Sequence, residues 1–167
     1  MIHDKAASMR QERQDMPKIR SWLENLLGCT FQDTSRPEQL QDMDLKSSDG
    51  EYYEVKIRGA EYRPFYKKDI LLETISDDQK DSDGWIYYSE ADWLIYLFKP
   101  LDDLIGYKIS MPVLKKWWKF NEHRRAWKKK KVPNKGYNTI NRVIPLKFLE
   151  DVQITYLPGE AGGYKVG

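Results

Sequence analysis

Cysteine is nearly absent from this 167-residue chain: Cys29 stands alone, which excludes an internal disulfide framework. Histidine is almost as scarce, and His3 and His123 are too far apart to suggest a zinc centre. No apolar run approaches the ~20 residues that a membrane-spanning helix needs, so no membrane partner is expected. The opening MIHDKAASMRQERQD is polar and carries acids, unlike a secretory leader. A reducing, cytoplasmic setting is the simple expectation. No internal repeat is visible, and the length suits one core rather than two.

What the chain does contain is charge and aromatic rings. Six Trp and eleven Tyr must be housed, and 32% of residues are charged. The net charge of +2 conceals a strong asymmetry. Between Lys115 and Lys135 there are ten Lys or Arg and one acid, Glu122, so the remainder of the chain is acidic. A concentrated basic segment on an acidic protein has the character of a polyanion-binding surface. Its plain alternative is a solvated helix face followed by a disordered lysine run.

Hydrophobic period divides the chain into elements. Residues 1–15 read as a flexible arm or a weak helical extension. Pro17 suits a first helical turn, Ile19, Trp22, Leu23, Leu26 and Leu27 recur at helical spacing, and Gly28 is a natural stop. Met43–Ser47 and Glu51–Gly59 flank a Ser48–Asp49–Gly50 turn and predict a β-hairpin. Ile70–Ser76, Trp85–Tyr88, Trp93–Phe98 and Leu104–Ile109 supply further strand candidates. Pro112 opens a long helix reaching about Lys131, with Val113, Trp117, Phe120 and Trp127 as its core stripe. Tyr137–Pro145 reads as an edge strand or loop and Val152–Leu157 as a last strand. The Gly-rich 158–167 reads as a mobile tail. The expectation is a single α/β domain over 16–157, with a mixed sheet of about five strands flanked by helices.

The sharpest local feature is DMDLKSSDGEYYEVKIRG. Strand alternation places Tyr53, Val55 and Ile57 on one side, and Glu54, Lys56 and Arg58 on the other. The position of Asp44 depends on the turn. A two-residue Asp49–Gly50 loop pairs Asp44 with Val55 and turns it toward the core. A three-residue loop ending in a left-handed Gly50 pairs it with Glu54, with Cβ atoms roughly 4.5–5.5 Å apart. The second arrangement is favoured, because burying Asp44 alone costs several kcal/mol, on the order of 2–7. Two opposed carboxylates then call for a cation between them.

Asp, some ten residues, then Glu-x-Lys on the second strand of a hairpin, after an N-terminal helix, resembles the PD-(D/E)XK nuclease superfamily. The resemblance covers about residues 17–110, with Met43 where proline often stands. It implies a restriction-endonuclease-like core and a Mg²⁺- or Mn²⁺-dependent nuclease, acting on DNA. Asp44 and Glu54 correspond to the metal-binding acids, the Val55 carbonyl to a backbone ligand and Lys56 to the motif lysine. Many members add a helical glutamate, for which Glu24 is the candidate ahead of Glu12. Hard carboxylate oxygens suit such ions better than zinc. The size fits a phage or mobile-element enzyme, and a homodimer is a further expectation carried by analogy.

Outside the motif, Glu73 in DILLETIS either extends the metal cluster or faces solvent, the two readings being even. Arg58 and Arg63 are candidates for phosphate contacts near the site. Lys115, Lys116, Lys119, Arg125, Lys128, Lys129, Lys130 and Lys131 are candidates for contacts along the nucleic-acid backbone. Trp118, off the predicted stripe, is a candidate for base stacking.

Overall fold

The computed structural model describes residues 5–158 and 165–166, and the chain is mixed α/β. Residues 1–4, part of the expected arm, and 159–164 and 167, part of the expected tail, lie outside the described residues.

Helix α1 (Lys5–Leu27) starts well before the expected first turn, leaving Pro17 in its interior. Asp15 accounts for much of this extension. It is buried, accepts the Gln11 side-chain amide at 2.9 Å and pairs with Lys99 at 3.3 Å. That pairing ties the early helix to the sheet. Gly28, with φ of +69°, ends it as expected.

Two sheets follow. The larger contains β1 (Phe31–Asp33), β2 (Leu45–Ser47), β3 (Tyr52–Arg58), β6 (Trp93–Phe98), β7 (Ile105–Ser110), β10 (Ile154–Leu157) and β11 (Lys165–Val166), side by side in that order. Its β3–β6 pair is parallel and the others are antiparallel, so the sheet is mixed. The smaller sheet is entirely antiparallel, in the order β5 (Ser82–Asp83), β4 (Asp69–Asp77), β9 (Asn138–Pro145) and β8 (Lys128–Pro133). This second sheet was not expected, since its strands join residues distant in sequence.

The faces of β3 separate as alternation requires. Tyr53 and Val55 pack with Ile19 and Leu23 of α1, Leu45, Ile95 and Leu97. The opposite face of the large sheet presents Leu94, Tyr96, Phe98, Tyr107 and Ile109, which share a core with Ile70, Leu72 and Ile144 of the small sheet. The Tyr96 hydroxyl fastens the two sheets together. It accepts the Leu71 N–H at 3.1 Å and the Arg58 Nε–H at 2.9 Å.

Short helical pieces complete the frame: α2 (Arg36–Gln39), α3 (Trp85–Tyr88, one of the expected strands) and α4 (Met111–Asn121). The expected helix over 112–131 therefore stops ten residues early. Trp127 supplies the reason. Its indole N–H donates to the Asn121 carbonyl at 2.6 Å, and its ring is buried against Trp117 and Phe148. Once the chain has folded back there, Lys128–Pro133 pairs with β9 around an Asn134–Tyr137 turn. Pairing overrides the helix preference of the lysines. Lysines along an edge strand also discourage further strands from adding to it.

The α4 stripe differs as well. Met111, Leu114 and Trp118 are buried, whereas Phe120 is 77% exposed and Val113 lies largely outside the core. Trp118, the base-stacking candidate, is only 3% exposed and donates its N–H to the Tyr87 hydroxyl at 3.0 Å. Trp118→Ala is expected to cost about 3–5 kcal/mol, and Phe120→Ser less than about 0.5 kcal/mol, in urea unfolding. Equal effects would contradict this orientation of α4.

Candidate active site

The site is built on the β2–β3 hairpin. Leu45 stands opposite Tyr53 and Lys46 opposite Tyr52, the register of a three-residue turn, and the ladder ends at Leu45. The turn consists of Ser48, Asp49 and Gly50, closed by Ser47 N–H to Glu51 O and Gly50 N–H to Ser47 O, each at 2.9 Å. Gly50 has φ of +85°, a conformation that costs a side-chain-bearing residue roughly 1–2 kcal/mol. Asp44 completes the hairpin from just beyond the last paired residue. Its N–H donates to the Tyr53 carbonyl at 2.8 Å, and its Oδ2 accepts the Val55 N–H at 2.8 Å.

Glu54 and Lys56, two residues apart, share the face turned away from α1. Lys56 Nζ lies 2.5 Å from Glu54 Oε1 and 3.5 Å from Asp42 Oδ2, with the Trp85 ring 5.9 Å away. Glu73 arrives from β4 and faces the same ammonium, and its carboxylate accepts the Trp85 N–H. Gly84 permits that contact. A Cβ at Gly84 would collide with the Glu73 carbonyl, so only glycine lets α3 begin this close to β4. Glu73 thus joins the cluster around Lys56.

Glu54 and Asp42 contact the Lys56 ammonium, and the charges of Asp44 and Glu73 also act on it. Burial pushes the Asp44 carboxyl above its usual range, against the attraction of Lys56 and the Val55 N–H. Burial raises Glu54 well above the usual glutamate range, and Lys56 offsets only part of this. Glu73 is raised chiefly by burial too. For Lys56, burial acts to lower the pKa, but Glu54, Asp42, Glu73 and Asp44 outweigh it and hold the ammonium charged far above its ordinary range. The cluster is short of positive charge. Glu54 Oε2 and Asp42 Oδ2 are buried with no hydrogen-bond donor.

Among the described residues, no three Asp, Glu, His or Cys side chains converge closely enough to hold a metal ion. The donor chemistry still fits a hard divalent cation. Asp44 and Glu54 are oxygen ligands, Glu54 keeps a partnerless buried oxygen, and Lys56 now supplies the neutralising charge at Glu54.

The remaining candidates are dispersed. Glu24 belongs to α1, on the far face of the sheet, and its Oε1 accepts the Phe31 N–H at 2.9 Å, so the structure does not bring it to the cluster. Arg58 lies over the Tyr96 ring at 5.2 Å and is held by its hydroxyl. Arg63 donates to the Asp103 carbonyl at 2.7 Å and carboxylate at 2.6 Å. Lys115 bonds the Ser89 carbonyl, and Lys130 the Tyr62 hydroxyl. Lys116, Lys119, Arg125, Lys128, Lys129 and Lys131 are exposed, but they are divided among α4, the turn after it and β8 rather than aligned on one helix.

Asp42 is the residue that sequence reasoning missed. A signal was present: in Asp42–Met43–Asp44 the two acids stand two apart around a buried methionine. Comparison with family models, curated proteins and solved structures finds no match to this chain.

Proposed function

We propose that this chain is a metal-dependent nuclease that hydrolyses phosphodiester bonds of DNA, with a restriction-endonuclease-like core. The observation that carries this reading is the β2–β3 hairpin, which anchors the Asp44 carboxylate on the Val55 N–H beside Glu54 while Lys56 shares the face of Glu54. Asp44 and Glu54 are the side chains that would hold Mg²⁺ or Mn²⁺, and the Val55 carbonyl is the backbone ligand that the resemblance implies. When bound, such an ion makes water nucleophilic at neutral pH and neutralises charge on the scissile phosphate.

The chain's own groups do the rest. Lys56, held charged by its carboxylates, places an N–H donor beside the attacked phosphate, where fixed charge is most effective at low dielectric. Glu73 and Asp42 restrain that ammonium. The exposed lysines of β8 supply nonspecific phosphate contacts. Glu73 is opposite Asn141, which is opposite Lys130, so β8 runs two strand spacings from Glu73, about 10 Å. The free Cys29 accords with a reducing, cytoplasmic setting for the same activity. Among the described residues no helix is long and apolar enough to cross a membrane.

The assay is cleavage of supercoiled plasmid and of single- and double-stranded oligonucleotides in Mg²⁺, Mn²⁺ or EDTA. Products are expected with either metal and none in EDTA. The absence of metal-dependent cleavage on every DNA and RNA substrate would contradict the proposal.

A further inference from the structure

Asp42 has no part in the motif, yet it is anchored with care. Its φ is +54°, the left-handed region that Asp and Asn tolerate better than other residues with side chains. Its carbonyl accepts the Ser89 hydroxyl at 3.4 Å, and its Oδ1 accepts the Tyr88 hydroxyl at 3.5 Å. Its other oxygen, Oδ2, is sealed from solvent, has no hydrogen-bond donor and lies 3.5 Å from the Lys56 ammonium. A buried acceptor without a donor is unfavourable.

Lys56 is engaged at Glu54, 2.5 Å away, while Glu54 Oε2 is itself buried and partnerless. Glu54 is 2% exposed, so solvent cannot serve that oxygen. One ammonium therefore stands between two incompletely satisfied carboxylates. A divalent cation at Glu54 would repel an ammonium this close, so Lys56 needs another acceptor. Glu73 already accepts the Trp85 N–H, and Asp44 Oδ2 the Val55 N–H. Asp42 Oδ2 is the open acceptor within reach.

We propose that Asp42 is the positioning residue for Lys56, receiving its ammonium when a divalent cation occupies Asp44 and Glu54. This rests on reading Asp44 and Glu54 as metal-binding. Lys56 then changes from a competitor for Glu54 into a fixed cation beside the site.

The test is Mn²⁺ affinity of the full chain, by electron paramagnetic resonance titration, in wild type, Asp42→Asn, Lys56→Met and the double variant. Asparagine keeps the shape and the left-handed backbone while removing the charge. In wild type, Asp42→Asn is expected to weaken binding about ten-fold. With Lys56→Met already present, the same change should alter affinity by less than about two-fold, because no ammonium remains to be placed. Lys56→Gln substitutes for Lys56→Met if the latter does not fold. Equal weakening in both backgrounds would make Asp42 a ligand in its own right and overturn the proposal. So would no weakening in wild type. Tight Mn²⁺ binding with independent substitutions defeats only the role of Asp42, whereas a wild type that binds no Mn²⁺ defeats the metal-binding reading and this inference with it.

Discussion

Glu54→Gln lowers Mg²⁺-dependent DNA cleavage by about 10²–10³-fold, the loss expected when a group that organises transition-state charge is removed, and leaves the protein folded. The substitution preserves shape at a position that is almost fully buried. Burial pushes the Glu54 carboxyl well above its usual range, so replacing it by a neutral amide removes a charge that the site desolvates. Lys56 keeps Asp42, Asp44 and Glu73 as neighbours. Stability is therefore expected to change by only about 1 kcal/mol, read from urea unfolding beside the cleavage rate. A folded Glu54→Gln protein that cuts DNA at the wild-type rate would remove Glu54 from the chemistry.

Lys56→Met acts on the fold as well as on activity. It leaves Glu54 and Asp42 without the ammonium that they contact, and breaking a buried pair in this way costs about 3–5 kcal/mol. A quarter of the Lys56 side chain reaches solvent, which favours the lower end, about 3 kcal/mol. The cost depends on pH with a definite sign. Asp44, Glu54 and Glu73 all have raised pKa values in the fold. A raised acid contributes stability that is complete below its unfolded pKa and is lost as pH rises through its folded pKa. Without Lys56 to favour the ionised forms, that loss deepens from the ordinary values of 3.8 for Asp and 4.5 for Glu upward. The variant is thus expected to approach wild-type stability near pH 4 and to fall furthest behind at neutrality. Denaturant midpoints measured across this range check it, and a deficit independent of pH would contradict it.

The hairpin was legible in the sequence because its determinants are local. Ser48–Asp49–Gly50 has turn chemistry, Tyr53, Val55 and Ile57 alternate with Glu54 and Lys56, and the charge on Asp44 argues against the register that would bury it. The structure contains that three-residue turn, with Leu45 opposite Tyr53 and Lys46 opposite Tyr52. The strands at 93–98 and 105–110, and the apolar stripe of α1, were readable for the same reason.

What could not be read depends on partners distant along the chain. Asp42 gains its meaning from Tyr88, 46 residues away, and from the Lys56 ammonium across the hairpin. The lysine run 128–131 carries no strand signal of its own and is extended because β9 pairs with it. Trp117 and Trp118 are adjacent, so helical periodicity alone could not decide which one enters the core. Pro17 signalled a helix start, but buried Asp15, paired with Lys99 far along the chain, ties the helix to the sheet ahead of that proline. Glu24 lies on the expected helix but on the sheet face opposite the cluster.

The most direct measurement is the anomalous diffraction of Mn²⁺ in crystals of the wild-type protein. The nuclease assignment requires an anomalous peak within ligand distance of both Asp44 and Glu54, with the Lys56 ammonium displaced from Glu54 Oε1. A map at Mn²⁺ concentrations that support cleavage, with no peak there and Lys56 still on Glu54, would contradict it.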